Sequence, residues 1–187
     1  MAAHIDTVAA SDIPKVTRGE FYEAMRPGDI VFCWGDPAIS QGIEKFTGGP
    51  SHVLKVWLPF SVSPWLTFEA EFGKGVRFGQ FADYMNYPGD IVLCRRPLTL
   101  EQVEQELIFG STLLDEKYDT VEFASLVARH FYNKLPLIQP AKELYCSGLQ
   151  QAIALKSIPF NVPDKPWATP EQIYTDDSVT PVCALLR

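Results

Sequence analysis

The sequence predicts one α+β domain, with strands in its first half and most of its helices in its second half. Short apolar runs separated by Gly, Pro and Asp fill residues 30–96, a pattern typical of an antiparallel, meander-like sheet. Helical patterns then follow one another, without the regular alternation of strand and helix that a parallel sheet shows. With 187 residues, 47% of them hydrophobic, the chain can bury a core of its own.

Turn residues mark the ends of the elements in the first half. Residues 1–16 are predicted to be a leader, and the domain is predicted to span residues 17–187. Two Pro-Gly-Asp turns, at 27–29 and 88–90, each introduce an apolar strand. After a helix at 18–25, the predicted elements are strands at 30–34, 52–58, 66–72, 76–78 and 91–96 and a short helix at 41–46.

Helical periodicity and capping residues define the second half. Thr99 and Gln102 have the spacing of a capping box, and Thr169-Pro170-Glu171 is a typical helix start. The predicted elements are helices at 100–113, 120–130 and 143–155, a further helix that starts at 169, and a final strand at 179–186.

Charge and hydropathy argue against several classes of function. The net charge of −7 disfavours a nucleic-acid partner, which needs a basic surface, and Arg95-Arg96 is expected at a solvated strand end. No apolar run approaches the ~18 residues that a membrane span needs. The N-terminus lacks the basic and apolar regions of a signal peptide. A cytoplasmic location is therefore predicted, with a virion or delivered protein of bacterial or phage origin as the alternative.

The four cysteines are predicted to be free thiols in a reducing compartment. Their spacing forms neither a Cys-x-x-Cys pair nor a His-Cys cluster, so neither a metal site nor a cofactor is expected. They are Cys33, Cys94, Cys146 and Cys183.

Cys146 is a candidate nucleophile, because the stretch AKELYCSGLQQAIAL at 141–155 places it near the start of a helix. The N–H groups and the positive dipole end of a helix start favour an anion, and so favour the thiolate that attacks carbonyl groups. The alternative is that Cys146 is a small apolar residue buried without a chemical role.

A nucleophilic thiol needs a base, and His52 is the better candidate. It follows a Gly-Gly-Pro corner and begins a strand, where a sheet edge can present it to a helix end, although it can also be purely structural. His130 lies instead in a helical pattern. Glu69 and Glu71 share one face of the next strand, and alternation does not decide which of them would orient the imidazole.

Four stretches in a fixed order resemble one known family. Over about residues 24–175 the chain is similar to the circularly permuted, YiiX-like branch of the NlpC-type papain-like cysteine hydrolases. The resemblance implies a central antiparallel sheet that bears the histidine and the glutamate, packed against helices that include the cysteine-bearing helix. The stretches are RPGDIVF at 26–32, FTGGPSHV at 46–53, FEAEFGKGV at 68–76 and YCSGL at 145–149.

The resemblance also implies a Cys-His-Glu triad. Matched to the family's motifs, Cys146 is the nucleophile, His52 is the general base and Glu69 is the carboxylate that orients it. Glu71 is the alternative carboxylate. The residues expected to line the pocket are Ser51, Tyr118, Tyr145 and Ser147.

The implied activity is hydrolysis of an amide bond in a peptide or peptidoglycan fragment, through an acyl-enzyme. Two departures from the family's motifs bear on the substrate, since Gly148 replaces a larger residue and Lys55 a small one. The alternatives are an acyltransferase or lipid hydrolase with the same triad, or a non-catalytic binding module. If the substrate is a lipid, four apolar residues could form a lip that binds its acyl chain; otherwise they belong to the core. They are Trp57, Leu58, Phe60 and Trp65.

Overall fold

A seven-stranded sheet with helices packed against it makes up the described part of the chain, which confirms the α+β class. The computed structural model describes residues 12–35, 49–57, 65–117, 145–162 and 168–186. The strands are β1 (Lys15–Val16), β2 (Ile30–Cys33), β3 (His52–Val56), β4 (Leu66–Glu71), β5 (Gly75–Gln80), β6 (Ile91–Arg95) and β7 (Thr180–Leu185). The helices are α1 (Arg18–Ala24), a 3₁₀ helix (Phe81–Asn86), α2 (Leu100–Ser111), α3 (Cys146–Ala154) and α4 (Pro170–Tyr174).

The strands lie in the order β1-β7-β6-β2-β3-β4-β5. Strands β2 to β5 form the predicted meander, in which each strand pairs antiparallel with the next. Strand β6 returns to the other side of β2, and β7 pairs antiparallel with β6. At the edge, β1 pairs parallel with β7, so Lys15 and Val16, which were predicted to end the leader, belong to the sheet. Two residues are too few to show a strand pattern in the sequence.

Three helices begin with a capping box, as their sequences indicate. In each, the threonine hydroxyl accepts a hydrogen bond from a backbone N–H three residues on, and that residue's side chain accepts from the threonine N–H. Helix α3 differs, because Tyr145 precedes it and offers no side-chain cap. The capping pairs are Thr17–Glu20 in α1, Thr99–Gln102 in α2 and Thr169–Gln172 in α4.

Helix α3 packs against β3 and β4, the strands that carry the candidate histidine and glutamates. Its apolar side chains Leu149 and Ile153 are buried in one cluster with Trp57. A second cluster includes Phe81 of the 3₁₀ helix, which stacks on Phe21 of α1 with 5.4 Å between the ring centroids. The packing of α3 therefore fixes the position of Cys146 relative to β3.

The basic pair Arg95-Arg96 does not lie at a solvated strand end, so this expectation was wrong. Arg95 pairs with Asp29 at 2.7 Å, and the buried Arg96 pairs with Glu106 of α2 at 2.7 Å. Glu106 also pairs with the buried Lys55 at 2.7 Å. Buried charges need such partners. Glu106 of α2 thus supplies the negative charge that allows both Arg96 and Lys55 to be buried.

Two of the predicted helices, at 41–46 and 120–130, lie outside the described residues. Among the helices that are described, none has the length and apolar character that crossing a membrane requires. All four cysteines are buried, and none of them forms a disulfide bond.

Candidate active site

The corner before His52 is held by its neighbours. Ser51 donates hydrogen bonds from its backbone N–H and its hydroxyl to the carbonyl of Cys33, at 2.9 and 3.1 Å. Glu171 of α4 lies against Gly49, in the space that a side chain at this position would need. Ser51, which the sequence suggested as a pocket residue, therefore holds the turn. His52 begins β3 in a fixed place as a result.

His52 connects the other two residues of the expected triad. Its Nε2 lies 3.0 Å from Oε2 of Glu69. Cys146 is near enough to contribute, with Glu69, to raising the pKa of the imidazole. The Glu69 side chain is fully buried, and the His52 side chain is 18% exposed. The structure therefore brings together a thiol, an imidazole and a carboxylate.

The structure distinguishes Glu69 from Glu71, which strand alternation left equivalent. Glu71 is half-buried and pairs with Arg77 and Lys74, each at 2.5 Å. Glu69 is buried beside His52, and Arg77 lies at an ion-pair distance of 3.1 Å from its second oxygen, Oε1, without hydrogen-bond alignment. Glu69 is therefore the carboxylate that contacts the imidazole.

A fourth residue, Tyr84 of the 3₁₀ helix, joins this group and was missed in the sequence. Its hydroxyl donates a hydrogen bond to Oε2 of Glu69 and lies 3.3 Å from Nε2 of His52. The Tyr84 and His52 rings are nearly parallel, with 6° between their planes. The stretch FADYMNY at 81–87 has neither strand nor helix periodicity. The sequence therefore offered no signal for this contact.

The electrostatics of the group favour a charged imidazole beside a charged carboxylate. Burial alone lowers the pKa of His52, but its interactions with Cys146 and Glu69 outweigh burial and raise this pKa to about 10. Burial alone raises the pKa of Glu69, but the hydrogen bonds of His52 and Tyr84 contribute to lowering it. Burial and the charge of Glu69 raise the pKa of Tyr84, so the phenol keeps its proton. Tyr84 is therefore a neutral donor to an ionised Glu69.

Cys146 is the first residue of α3 and is 6% exposed. The first hydrogen bond of this helix runs from the N–H of Leu149 to the carbonyl of Tyr145. Helix geometry leaves the N–H groups of the first turn outside the helix's own hydrogen bonds, and no N-cap side chain accepts from them here. Such N–H groups beside a thiol can bind the oxyanion that forms when the sulfur attacks a carbonyl.

Tyr145 and Gly148 form a packed unit at the start of α3. Tyr145 is buried, and its hydroxyl donates to the carbonyl of Ala168 at 3.2 Å. A Cβ on Gly148 would lie 2.9 Å from the Tyr145 ring, so a larger residue would displace the ring. The departure from the family's motif at Gly148 thus has a packing reason. Tyr145, an expected pocket residue, anchors the helix start.

Three of the remaining expected pocket and lip residues lie in the described part of the chain, and each is buried or partly buried. Ser147 is fully buried, and its hydroxyl has no hydrogen-bond partner among the described residues. Trp57 is 6% exposed and belongs to the core. Trp65 is partly buried, packs against the core and donates from Nε1 to the carbonyl of Tyr22 at 3.1 Å, so these contacts favour packing over an acyl-binding lip for both tryptophans. The positions outside the described residues are Leu58, Phe60 and Tyr118.

The sheet and its helices place the chain in the class of α+β proteins with a YiiX-like fold. A solved structure of this class is that of the metalloprotein yiiX from Escherichia coli O157:H7. It has a TM-score of 0.62 and 16% identity, and the similarity covers 84% of this chain and 96% of that one. At this identity the likeness shows the fold alone. No protein-family model and no curated protein matches the chain.

The site of this chain does not have the form of a metal centre. In the described ranges, no group of three or more His, Cys, Asp or Glu side chains is placed to hold a metal ion. Oε2 of Glu69 contacts both Nε2 of His52 and the hydroxyl of Tyr84, so this carboxylate acts as a hydrogen-bond acceptor. A carboxylate in this position suits the orientation of an imidazole that transfers protons.

Proposed function

We propose that this protein is a thiol hydrolase that cleaves amide bonds through an acyl-enzyme on Cys146. The observation that carries the proposal is that the buried carboxylate of Glu69 lies 3.0 Å from Nε2 of His52, an imidazole whose pKa is raised by its interactions with Cys146 and Glu69. The thiol then has an adjacent base, and the base has a carboxylate that stabilises its protonated form. A binding module without catalysis would not need this contact.

In the first half of the reaction, His52 holds the proton that the Cys146 thiol has given up, in keeping with its raised pKa, and the sulfur forms a bond to the amide carbonyl carbon. The carbonyl oxygen becomes an oxyanion, which N–H groups of the first turn of α3 bind. His52 then protonates the leaving nitrogen and the C–N bond breaks. An amine leaves, and a thioester with Cys146 remains.

In the second half, His52 removes a proton from water while the water oxygen attacks the thioester carbon. The C–S bond breaks, the acyl group leaves as a carboxylic acid, and the proton held by His52 returns to the sulfur. Glu69 stays ionised throughout. It accepts the hydrogen bond from Nε2, which keeps the ring in one orientation and stabilises the imidazolium.

Mass spectrometry of the trapped intermediate tests the proposal. The protein is mixed with peptide amides, peptidoglycan stem peptides or fatty-acyl esters, quenched in acid and analysed for an acyl adduct. We expect an adduct from amide substrates on Cys146, its loss in Cys146→Ala, and its retention in the matched control Cys183→Ala. Adducts from fatty-acyl esters alone, followed by transfer to an amine, would indicate an acyltransferase instead. The absence of any adduct on the folded protein would contradict an enzymatic role.

A further inference from the structure

The site contains one polar group that the proposed mechanism does not use, the hydroxyl of Tyr84. It donates a hydrogen bond to Oε2 of Glu69, the same oxygen that lies 3.0 Å from Nε2 of His52. A hydrogen bond to a charged acceptor is about twice as strong as one between neutral groups. Tyr84 is therefore placed to act on the carboxylate, and through it on the imidazole.

The packing of Tyr84 holds its hydroxyl in place. The ring lies between Phe81 and Tyr87, at centroid distances of 6.1 and 5.8 Å, and parallel to the ring of His52 at 6.2 Å. Phe81 is fully buried and stacks on Phe21 of α1. Since these contacts already order the ring, its hydrogen bond to Glu69 costs little further side-chain freedom.

We propose that Tyr84 is a positioning residue, which keeps Glu69 ionised and holds its Oε2 against His52. The inference rests on the proposed function, because the position of Glu69 matters for catalysis only where His52 serves Cys146. Arg77 lies 3.1 Å from the other oxygen of Glu69 and attracts the carboxylate toward β5. Tyr84 and His52 together oppose this attraction at Oε2.

The titratable groups around Glu69 come from four elements. They are His52 on β3, Arg77 on β5, Tyr84 on the 3₁₀ helix and, through His52, Cys146 on α3. Tyr84 is the neutral donor among them, so its removal alters the hydrogen bonding of Glu69 without altering the charge of the site. Tyr84→Phe should therefore raise the pKa of Glu69 by about 1 pH unit, the effect of one hydrogen bond to a charged group.

An NMR titration of glutamate labelled with ¹³C at Cδ measures this effect, with Glu69→Gln to identify the signal. The pH at the midpoint of the Glu69 titration should rise in Tyr84→Phe. It should stay the same in the control Tyr22→Phe, which removes a phenol hydroxyl from the same aromatic cluster. Alkylation of Cys146 by iodoacetamide should also slow in Tyr84→Phe, because Oε2 of Glu69 is then held less firmly against His52, and should keep its wild-type rate in the control. An unchanged Glu69 midpoint, or equal changes in both variants, overturns the inference.

If Tyr84→Phe does not fold, a measurement on the wild-type protein tests the same inference. With tyrosine labelled with ¹³C at Cζ, the signal that responds to Glu69→Gln is that of Tyr84. It should keep the chemical shift of a neutral phenol above the pH of about 10 at which an ordinary tyrosine ionises. A signal that ionises there contradicts the inference. A failure of the proposed function gives a different result from a failure of this inference. If the proposed function is wrong, wild-type Cys146 is alkylated no faster than an unfolded thiol, but the titration midpoint of Glu69 still shifts in Tyr84→Phe.

Discussion

The substitution Glu69→Gln removes the negative charge beside His52 and keeps the size of the side chain. Burial alone lowers the pKa of His52, but Cys146 and Glu69 raise it from 6.5 to about 10. At about 1.4 kcal/mol per pH unit, this rise corresponds to about 5 kcal/mol of stabilisation of the imidazolium. Since an opposite charge within about 4 Å commonly shifts a pKa by about 1–3 units, the loss of the Glu69 charge should lower the pKa of His52 by about that much.

Histidine NMR measures this change directly. The chain has three histidines, so labelling with ¹³C at Cε1 gives few signals, and His52→Gln identifies the relevant one. Glu71→Gln is the matched control, since Glu71 lies on the same strand and pairs with Arg77 and Lys74. The midpoint of His52 should fall in Glu69→Gln and stay near its wild-type value in Glu71→Gln.

An unchanged His52 midpoint in Glu69→Gln would refute the reasoning, because the carboxylate would then not stabilise the imidazolium. An equal fall in both variants would show that the net charge of β4, and not a direct contact, sets the pKa of His52. Thermal unfolding is measured alongside, because the substitution removes the charge that faces Arg77 and lowers the stability.

Three further predictions concern stability. The pKa of His52 in the folded chain lies above its unfolded value of 6.5, so its contribution is complete below pH 6.5 and is lost as the pH rises through about 10. Urea unfolding over this range should show the wild type losing up to about 5 kcal/mol more stability than His52→Gln. A Cβ in Gly79→Ala would overlap Oε1 of Glu69, so this variant should have a lower Tm in a thermal melt. Lys55→Met breaks the buried pair with Glu106, and chemical denaturation should show a loss of about 3 kcal/mol.

Matched controls accompany these variants. Gly19→Ala lies in open space on α1 and should keep or raise the Tm, so a Gly79→Ala protein that behaves like it would contradict the packing argument. Lys74→Met removes a surface lysine that is 58% exposed and should change the stability by less than about 1 kcal/mol. A similarly small effect of Lys55→Met would show that the buried pair is dispensable. If the difference in unfolding free energy between the wild type and His52→Gln does not change with pH, the predicted link between the pKa of His52 and stability is wrong.

Local signals predicted most of the described elements. The Pro-Gly-Asp turns introduce β2 and β6, and the predicted caps at Thr99 and Thr169 begin α2 and α4, because turn and cap chemistry depends on a few neighbouring residues. Helix α3 was expected from residue 143, but the described helix begins at Cys146 itself. The start of the helix was less certain because Tyr145 is not a typical cap.

Long-range contacts could not be predicted from these signals. Alternation placed Glu69 and Glu71 on one face, and the choice between them depends on how β4 meets β3 and on where Arg77 of β5 lies. Tyr84 lies 15 positions from Glu69 in a segment without periodicity. The pairing of Arg96 with α2 likewise requires knowledge of the packing. The resemblance to a known family selected Glu69, but it did not indicate the phenol that holds it.

The central claim is that His52 activates Cys146, and site-resolved alkylation tests it most directly. Iodoacetamide labelling of each cysteine is followed by mass spectrometry at neutral pH, in the wild type and in His52→Gln. Burial raises the pKa of both Cys94 and Cys183, which therefore serve as internal controls. We predict that Cys146 reacts at least about tenfold faster than these two, and that His52→Gln removes the difference. A Cys146 that reacts no faster than the same residue in the unfolded chain, or equally fast without His52, would contradict the account.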